Sequence, residues 1–154
     1  MIQHAWTVLC DKTITDKATN NVSLDVIEEV RFSLPKPPED AKGIVVPYPM
    51  EVVSLWYREH SQTPEQGRAR LTLLGPDKSP LGEAQIVVDL TKHVRLRAVT
   101  KFPALPAPAS VLTGGGRFLF VLEAEQSPSQ WREVARVPLE VKVEIVAEQA
   151  VVAK

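Results

Sequence analysis

Period-two alternation of apolar and polar side chains constrains this chain more than any other feature of its sequence. Gly82, Ala84, Ile86, Val88 and Leu90 take every second position, with Glu83, Gln85, Val87 and Asp89 between them. Successive side chains of an extended chain point to opposite faces, so such a run is a strand with one buried and one wet face. The period returns in Val94, Leu96, Ala98 and Phe102, set against His93, Arg95, Arg97 and Lys101. It returns again near the C-terminus, where Leu139, Val141, Val143 and Ile145 alternate with Glu140, Lys142 and Glu144. None of the three runs groups its apolar residues at helical spacing.

Other segments extend the pattern. Gln3–Cys10 is rich in β-formers, and His4, Trp6, Val8 and Cys10 are expected on one face of it. Met50–Arg58 is apolar on both faces, as a central strand between two covering layers would be. Arg68–Leu74 alternates through Ala69, Leu71 and Leu73, and Arg117–Glu125 through Phe118, Phe120, Leu122 and Ala124. Turn chemistry separates the runs: Asp16–Asn21, the Gly75-Pro76-Asp77-Lys78-Ser79-Pro80 cluster, Gly114-Gly115-Gly116, and Gln126–Gln130. Most of the 13 prolines fall between strands. Pro138 does not, which predicts an edge position or a bulge between Trp131–Val137 and Leu139–Ile145.

Val22–Leu34 fits two templates. Six of its seven even positions are apolar, as in a long strand, with Glu28 the misfit at a bulge or an edge. A helix capped by Ser23 would group Leu24, Ile27, Val30 or Arg31, and Leu34 instead. The strand is preferred, because it pairs with Gln3–Cys10 across the Asp16–Asn21 turn. The expected architecture is an all-β, two-sheet antiparallel sandwich of the Ig-like or C2-like, Greek-key kind, with about seven to nine strands and little or no helix. The long connections Pro35–Pro49 and Pro103–Gly116 suit its cross-sheet passages. Residues 1–147 form the single domain, and Glu148–Lys154 a frayed tail.

Composition enters mainly by exclusion. At 154 residues the chain can bury one sizeable core. Its 18 basic and 19 acidic side chains leave a net charge of -1, which removes the basic excess of a dedicated nucleic-acid binder. A single cysteine, Cys10, excludes an internal disulfide framework. The apolar run Ala5–Leu9 is too short for a secretory signal, and no stretch is long enough to span a bilayer. The sequon Asn21-Val22-Ser23 is then expected to be a coincidence, and a cytoplasmic location is the default expectation.

Chemistry-bearing residues are sparse. A catalytic thiolate needs a base within hydrogen-bond reach, and His4 lies about 20 Å from Cys10 along the same strand. Cys10 reads as a buried structural thiol. His4, His60 and His93 are isolated, and Asp11, Asp16 and Asp25 do not make a dense acidic loop. Neither a metal nor another cofactor is expected. Gly114-Gly115-Gly116-Arg117 lacks the Lys-Ser/Thr and following helix of a phosphate loop, so it reads as a tight turn. The outstanding surface feature is the stripe His93, Arg95, Arg97 and Lys101, on one face of one strand. Its functional reading is a surface for an anion, a nucleic acid or an acidic partner; the preferred reading is a solvated face that pairs with acidic neighbours such as Glu140 and Glu144 across the sheet. The PxxP runs at Pro35–Pro38 and Pro103–Pro108 read as stiffened loops. Tyr48, between Pro47 and Pro49, marks the first of them as a partner contact.

The run Ala5-Trp6-Thr7-Val8-Leu9-Cys10-Asp11, then Asp16 and Asn21-Val22-Ser23-Leu24, resembles the N-terminus of a group of small bacterial proteins without an assigned activity. These begin with an apolar strand ending Leu-Cys-Asp, a short acidic turn and a Ser-Leu strand. The resemblance covers the first 35 residues or so; it implies a bacterial cytosolic origin and a β-rich domain and brings no catalytic residue. The leading expectation is a non-enzymatic protein-interaction or accessory module, with His93, Arg95, Arg97, Lys101 and Tyr48 as partner surface. Its partner would be a protein rather than a membrane or nucleic acid, and a free sheet edge offers a route to a homodimer. The alternative is a small-ligand or carbohydrate-binding domain stacking its ligand on Trp6, Trp56, Tyr48 or Trp131.

Overall fold

A computed structural model describes residues 1–146; the tail expected at Glu148–Lys154 lies outside them. Eleven strands and one short 3-10 turn, Ala109–Val111, make up this part of the chain. Four strands form one sheet in the order β2 (Val22–Val26), β1 (Ile2–Thr15), β5 (Met50–Arg58), β8 (Arg95–Phe102). Five form the other, in the order β3 (Glu29–Pro35), β11 (Gln130–Val146), β10 (Gly116–Ser127), β6 (Glu65–Leu74), β7 (Pro80–Leu90). The two remaining strands, β4 (Gly43–Val46) and β9 (Leu105–Pro108), pair as a ribbon. The all-β sandwich class expected from alternation is therefore the observed one.

The core lies between the two large sheets. Leu9, Val52 and Trp56 from the four-stranded sheet and Leu71, Phe118, Phe120 and Leu139 from the five-stranded one are all within 2% of full burial. Phe102 crosses the gap to meet Phe120 edge-on, with ring centroids 5.2 Å apart. Each such side chain contributes about 1.5–3 kcal/mol on leaving water.

Four local expectations are corrected. Val22–Leu34 is extended but not one strand. It breaks at Ile27–Glu28, where Ile27 donates its N–H to the Leu9 carbonyl of the first sheet and Glu28 accepts from Glu140 N–H of the second. Glu28, the misfit of the pattern, marks the crossing between sheets. Only Val26 pairs within Gln3–Cys10, at Cys10; Val22–Leu24 pair with Thr13–Thr15. Because the chain crosses without reversing, β3 meets β11 in parallel, so the sandwich is not purely antiparallel. The count exceeds nine because of that break and because the two proline-rich connections, expected as loops, hydrogen-bond to each other as β4 and β9.

Pro138 sits inside one continuous 17-residue β11, opposite Leu119. The ladder from β11 to β3 begins only at Glu140, so among the described residues no strand pairs with Pro138 on that side and its missing N–H costs nothing.

Candidate interaction surface

The outward face of the four-stranded sheet is set by one bulge. β1 pairs with β5 as His4↔Trp56 and then Trp6↔Leu55, so Ala5 is the extra residue. An extra residue reverses the parity of everything after it. His4 consequently faces inward, edge-on to Trp56 at 5.2 Å, while Trp6, Val8 and Cys10 face outward beside Leu55, Val53 and Glu51. The single face expected for His4, Trp6, Val8 and Cys10 is thus divided, and His4 and Cys10 point to opposite sides of the sheet. On β8, Arg97, Val99 and Lys101 stand opposite Leu55, Val53 and Glu51 and continue the outward face.

A second irregularity, between Cys10 and Thr13, turns the end of β1 and all of β2 back over this face. In a flat sheet Val22 would lie about 26 Å beyond Trp6, since each is four residues from the Cys10–Val26 pair at ~3.3 Å per residue. Instead Val22 and Trp6 line one cleft. A folded arm accords with the full burial of Val53 and Cys10, which face away from the other sheet, and with the half-burial of Val22 and Leu24 on the arm itself. Thr13 Oγ1 pins the arm by donating to Glu51 Oε2 at 2.7 Å. Cys10 Sγ donates to the Glu51 carbonyl at 3.5 Å, and burial pushes its thiol pKa up, which disfavours the thiolate. Thr13→Val is expected to cost about 1–2 kcal/mol. Hydrogen exchange should speed up at Val22–Leu24 and not in β10; unchanged exchange in the arm would show that this bond does not hold it.

Between the arm and the sheet lies a cleft of about 610 Å³. Trp6 and Leu55 form its floor, the arm tip Thr19–Val22 one wall, and His93, Arg95 and Arg97 the other. Asn20 turns the tip with a φ of 58°, a left-handed conformation that asparagine tolerates. The structure thus brings three of the expected stripe residues together with Trp6, although His93 precedes β8 and does not share its strand face as expected. Lys101 lies four residues further along β8, about 13 Å from Arg97. Tyr48 is elsewhere: it is half-buried edge-on to Phe32 of β3, with centroids 5.7 Å apart.

Pairing of the stripe with Glu140 and Glu144 is ruled out by topology. β8 neighbours β5, whereas both glutamates belong to β11, where Glu140 bonds Arg117 at 2.5 Å and Glu144 stands opposite Ser33. Among the described residues His93, Arg95, Arg97 and Lys101 have no carboxylate within 4.0 Å. The outward face of the five-stranded sheet is the opposite case. There Arg68 grips Glu125 through two bonds of 2.6 and 2.7 Å, Arg70 meets Glu123 at 2.8 Å, and Lys142 meets Glu29 at 2.8 Å. The Arg68 bond holds the Glu125 carboxyl below its usual range, and the bond from Lys142 does the same to Glu29.

The aromatic platform does not assemble. Trp56 is buried in the core, Trp131 lies under the Arg70 guanidinium at 4.4 Å, and only Trp6 reaches the cleft. A second cleft, of about 590 Å³, opens beside His4, Trp56, Arg68 and Glu125, and its charges of both signs are partly spent on one another. Leu55 and the Thr19–Val22 tip were not singled out from sequence. The one local hint was Asp11-Lys12, which interrupts the alternation where the arm bends. Among the described residues no three His, Cys, Asp or Glu side chains converge as a metal set, and no helix is long and apolar enough to cross a membrane.

No protein-family model matches this chain, and no curated protein matches it in sequence. Among solved structures, the CooA pilin subunit from enterotoxigenic Escherichia coli overlaps 90% of this chain and 99% of its own, at 11% identity and a TM-score of 0.36. A score of 0.36 does not define a common fold.

Proposed function

We propose that this chain is a non-enzymatic interaction module of a bacterial cytosolic assembly, and that it binds a protein partner through the outward face of its four-stranded sheet. One observation carries the reading: among the described residues Arg95, Arg97 and Lys101 share that face without ion partners, while Arg68, Arg70, Arg117 and Lys142 of the other sheet are all paired. Unpaired cations beside half-buried apolar side chains such as Trp6 and Leu55 suit a partner that brings carboxylates. The net charge of -1 argues against a polyanion as that partner. Lys and Arg on an edge strand also guard it against strand addition. Charge reversal separates the two roles, because Glu guards an edge as well as Arg does.

The test is co-purification from the native cell, wild type against R95E/R97E. The double variant should fold with unchanged stability, within about 0.5 kcal/mol for exposed and half-exposed sites. It should lose the captured protein by a factor of ten or more, since charge pairs at interfaces contribute about 1.4 kcal/mol or more. Equal capture by both forms, or measurable turnover by the isolated chain, would overturn the reading.

A further inference from the structure

We infer that the cleft under the folded arm is a binding site for a small organic anion, one that joins a planar apolar body to a carboxylate or phosphate group. The inference goes beyond a protein-contact role for this face and does not depend on it. Three features of the cleft define the ligand. Its volume, about 610 Å³, lies within the range of about 300–1,000 Å³ typical of small-molecule sites. Its apolar lining is a half-buried indole and an aliphatic side chain of the sheet, Trp6 and Leu55, together with Val22 of the arm. Its far wall carries Arg95 and Arg97, with His93 beside them, and among the described residues no Asp or Glu lines it.

Each feature does a separate job. An indole face and a leucine recognise a flat apolar group by contact area. Two guanidinium groups two residues apart on one strand face start about 6.6 Å from each other, close enough for both forks to reach one oxyanion. Unpaired arginines beside an apolar floor are poorly served by their own protein and gain charge-assisted bonds from such a ligand. The Asn20, Asn21 and Thr19 side chains at the arm tip add neutral donors and acceptors opposite the arginines. The arm tip walls off one side of the cleft, which suits a ligand that ends there better than a peptide chain that has to continue.

The second cleft offers a contrast within the same molecule. Glu65, Glu125 and Glu133 stand among its cations, so an anion entering it meets like charge. A further cleft, beside Lys78, Arg117 and Arg136, is also lined by cations alone, but there Arg117 is paired with Glu140 and Arg136 with Glu133, whereas among the described residues Arg95 and Arg97 of the arm cleft meet no carboxylate within 4.0 Å.

The experiment is calorimetric titration of the full chain with phenyl phosphate and with benzoate at low salt, alongside inorganic phosphate and neutral benzyl alcohol. Saturable binding of one or both aromatic anions is expected, and which of the two binds tighter tells phosphate from carboxylate. Inorganic phosphate and benzyl alcohol should each bind at least about tenfold more weakly, because each keeps only one half of the recognition. R95Q/R97Q should weaken the aromatic anion at least about tenfold. Trp6→Phe should weaken it less and abolish the ligand-induced change in indole fluorescence, a readout that does not require Trp6→Ala to fold. Four results would each overturn the inference: no saturation by either aromatic anion up to about 10 mM, equal affinity for inorganic phosphate, binding unchanged in R95Q/R97Q, or fluorescence changes that persist in Trp6→Phe. Failure here with R95E/R97E still losing its protein partner would leave the interaction-module reading standing.

Discussion

Replacing Gly115 by alanine should destabilise this protein by about 3 kcal/mol or more, while Gly114→Ala, one residue away, should change stability by less than about 1 kcal/mol. Gly115 has a φ of +87°, where an L side chain strains the backbone, and a Cβ there would stand 2.0 Å from the Val141 carbonyl oxygen. That oxygen belongs to β11, so relief requires the β10–β11 ladder to part just where it begins, at Gly116↔Val141. At Gly114 an added Cβ meets nothing within 4 Å. Urea midpoints would measure the difference, and in heating experiments the loss corresponds to a Tm lower by about 6–12 °C for a domain of this size. The comparison bears on function too. It assigns the glycine run to a close backbone approach at the start of β10 rather than to a phosphate cradle. Equal stability of Gly115→Ala and wild type would refute that assignment.

The second large effect is expected at Trp56. The ring is 1% exposed, its Nε1 donates to Ser54 Oγ at 2.8 Å, and its face or edge meets His4 at 5.2 Å. Trp56→Ala should cost about 3–5 kcal/mol by loss of burial and the cavity left behind. Ser54→Ala removes few atoms yet should still cost about 1–3 kcal/mol, because it leaves the indole N–H buried without an acceptor. Once Trp56→Phe has removed that N–H, Ser54→Ala should cost much less. The double-mutant cycle therefore separates packing from the hydrogen bond. If Ser54→Ala costs the same in both backgrounds, the bond contributes nothing measurable. In that event His4, whose pKa is drawn down chiefly by burial, is the other polar neighbour of the ring to examine.

Strand formation was legible in the sequence because it is local. Ala84, Ile86, Val88 and Leu90 declare a half-buried strand whatever it pairs with, and Asp16–Asn21 or Gly75–Pro80 declare turns from their own chemistry. Even the edge character of Pro138 follows from one missing N–H. The stripe Arg95, Arg97, Lys101 was legible for the same reason, since period two alone puts those side chains on one face.

Neighbours were not legible, because pairing joins residues far apart in the chain. Alternation cannot tell that Arg97 stands beside Leu55 rather than Glu140, and so cannot tell a free cation from a paired one. One extra residue at Ala5 reversed the parity of Trp6, and Glu28 marked a passage between sheets rather than a flaw in one strand. The two proline-rich connections looked like loops until each supplied the other's hydrogen bonds. The sequence by itself determined an all-β domain with one cationic strand face. The tertiary structure alone decided that the β1–β2 arm bends back at Asp11-Lys12, placing Trp6, Leu55 and Val22 beside Arg95 and Arg97. The reason is physical: side-chain direction repeats every two residues, whereas a bulge, a crossing or a folded arm is chosen by the burial it permits across the whole molecule.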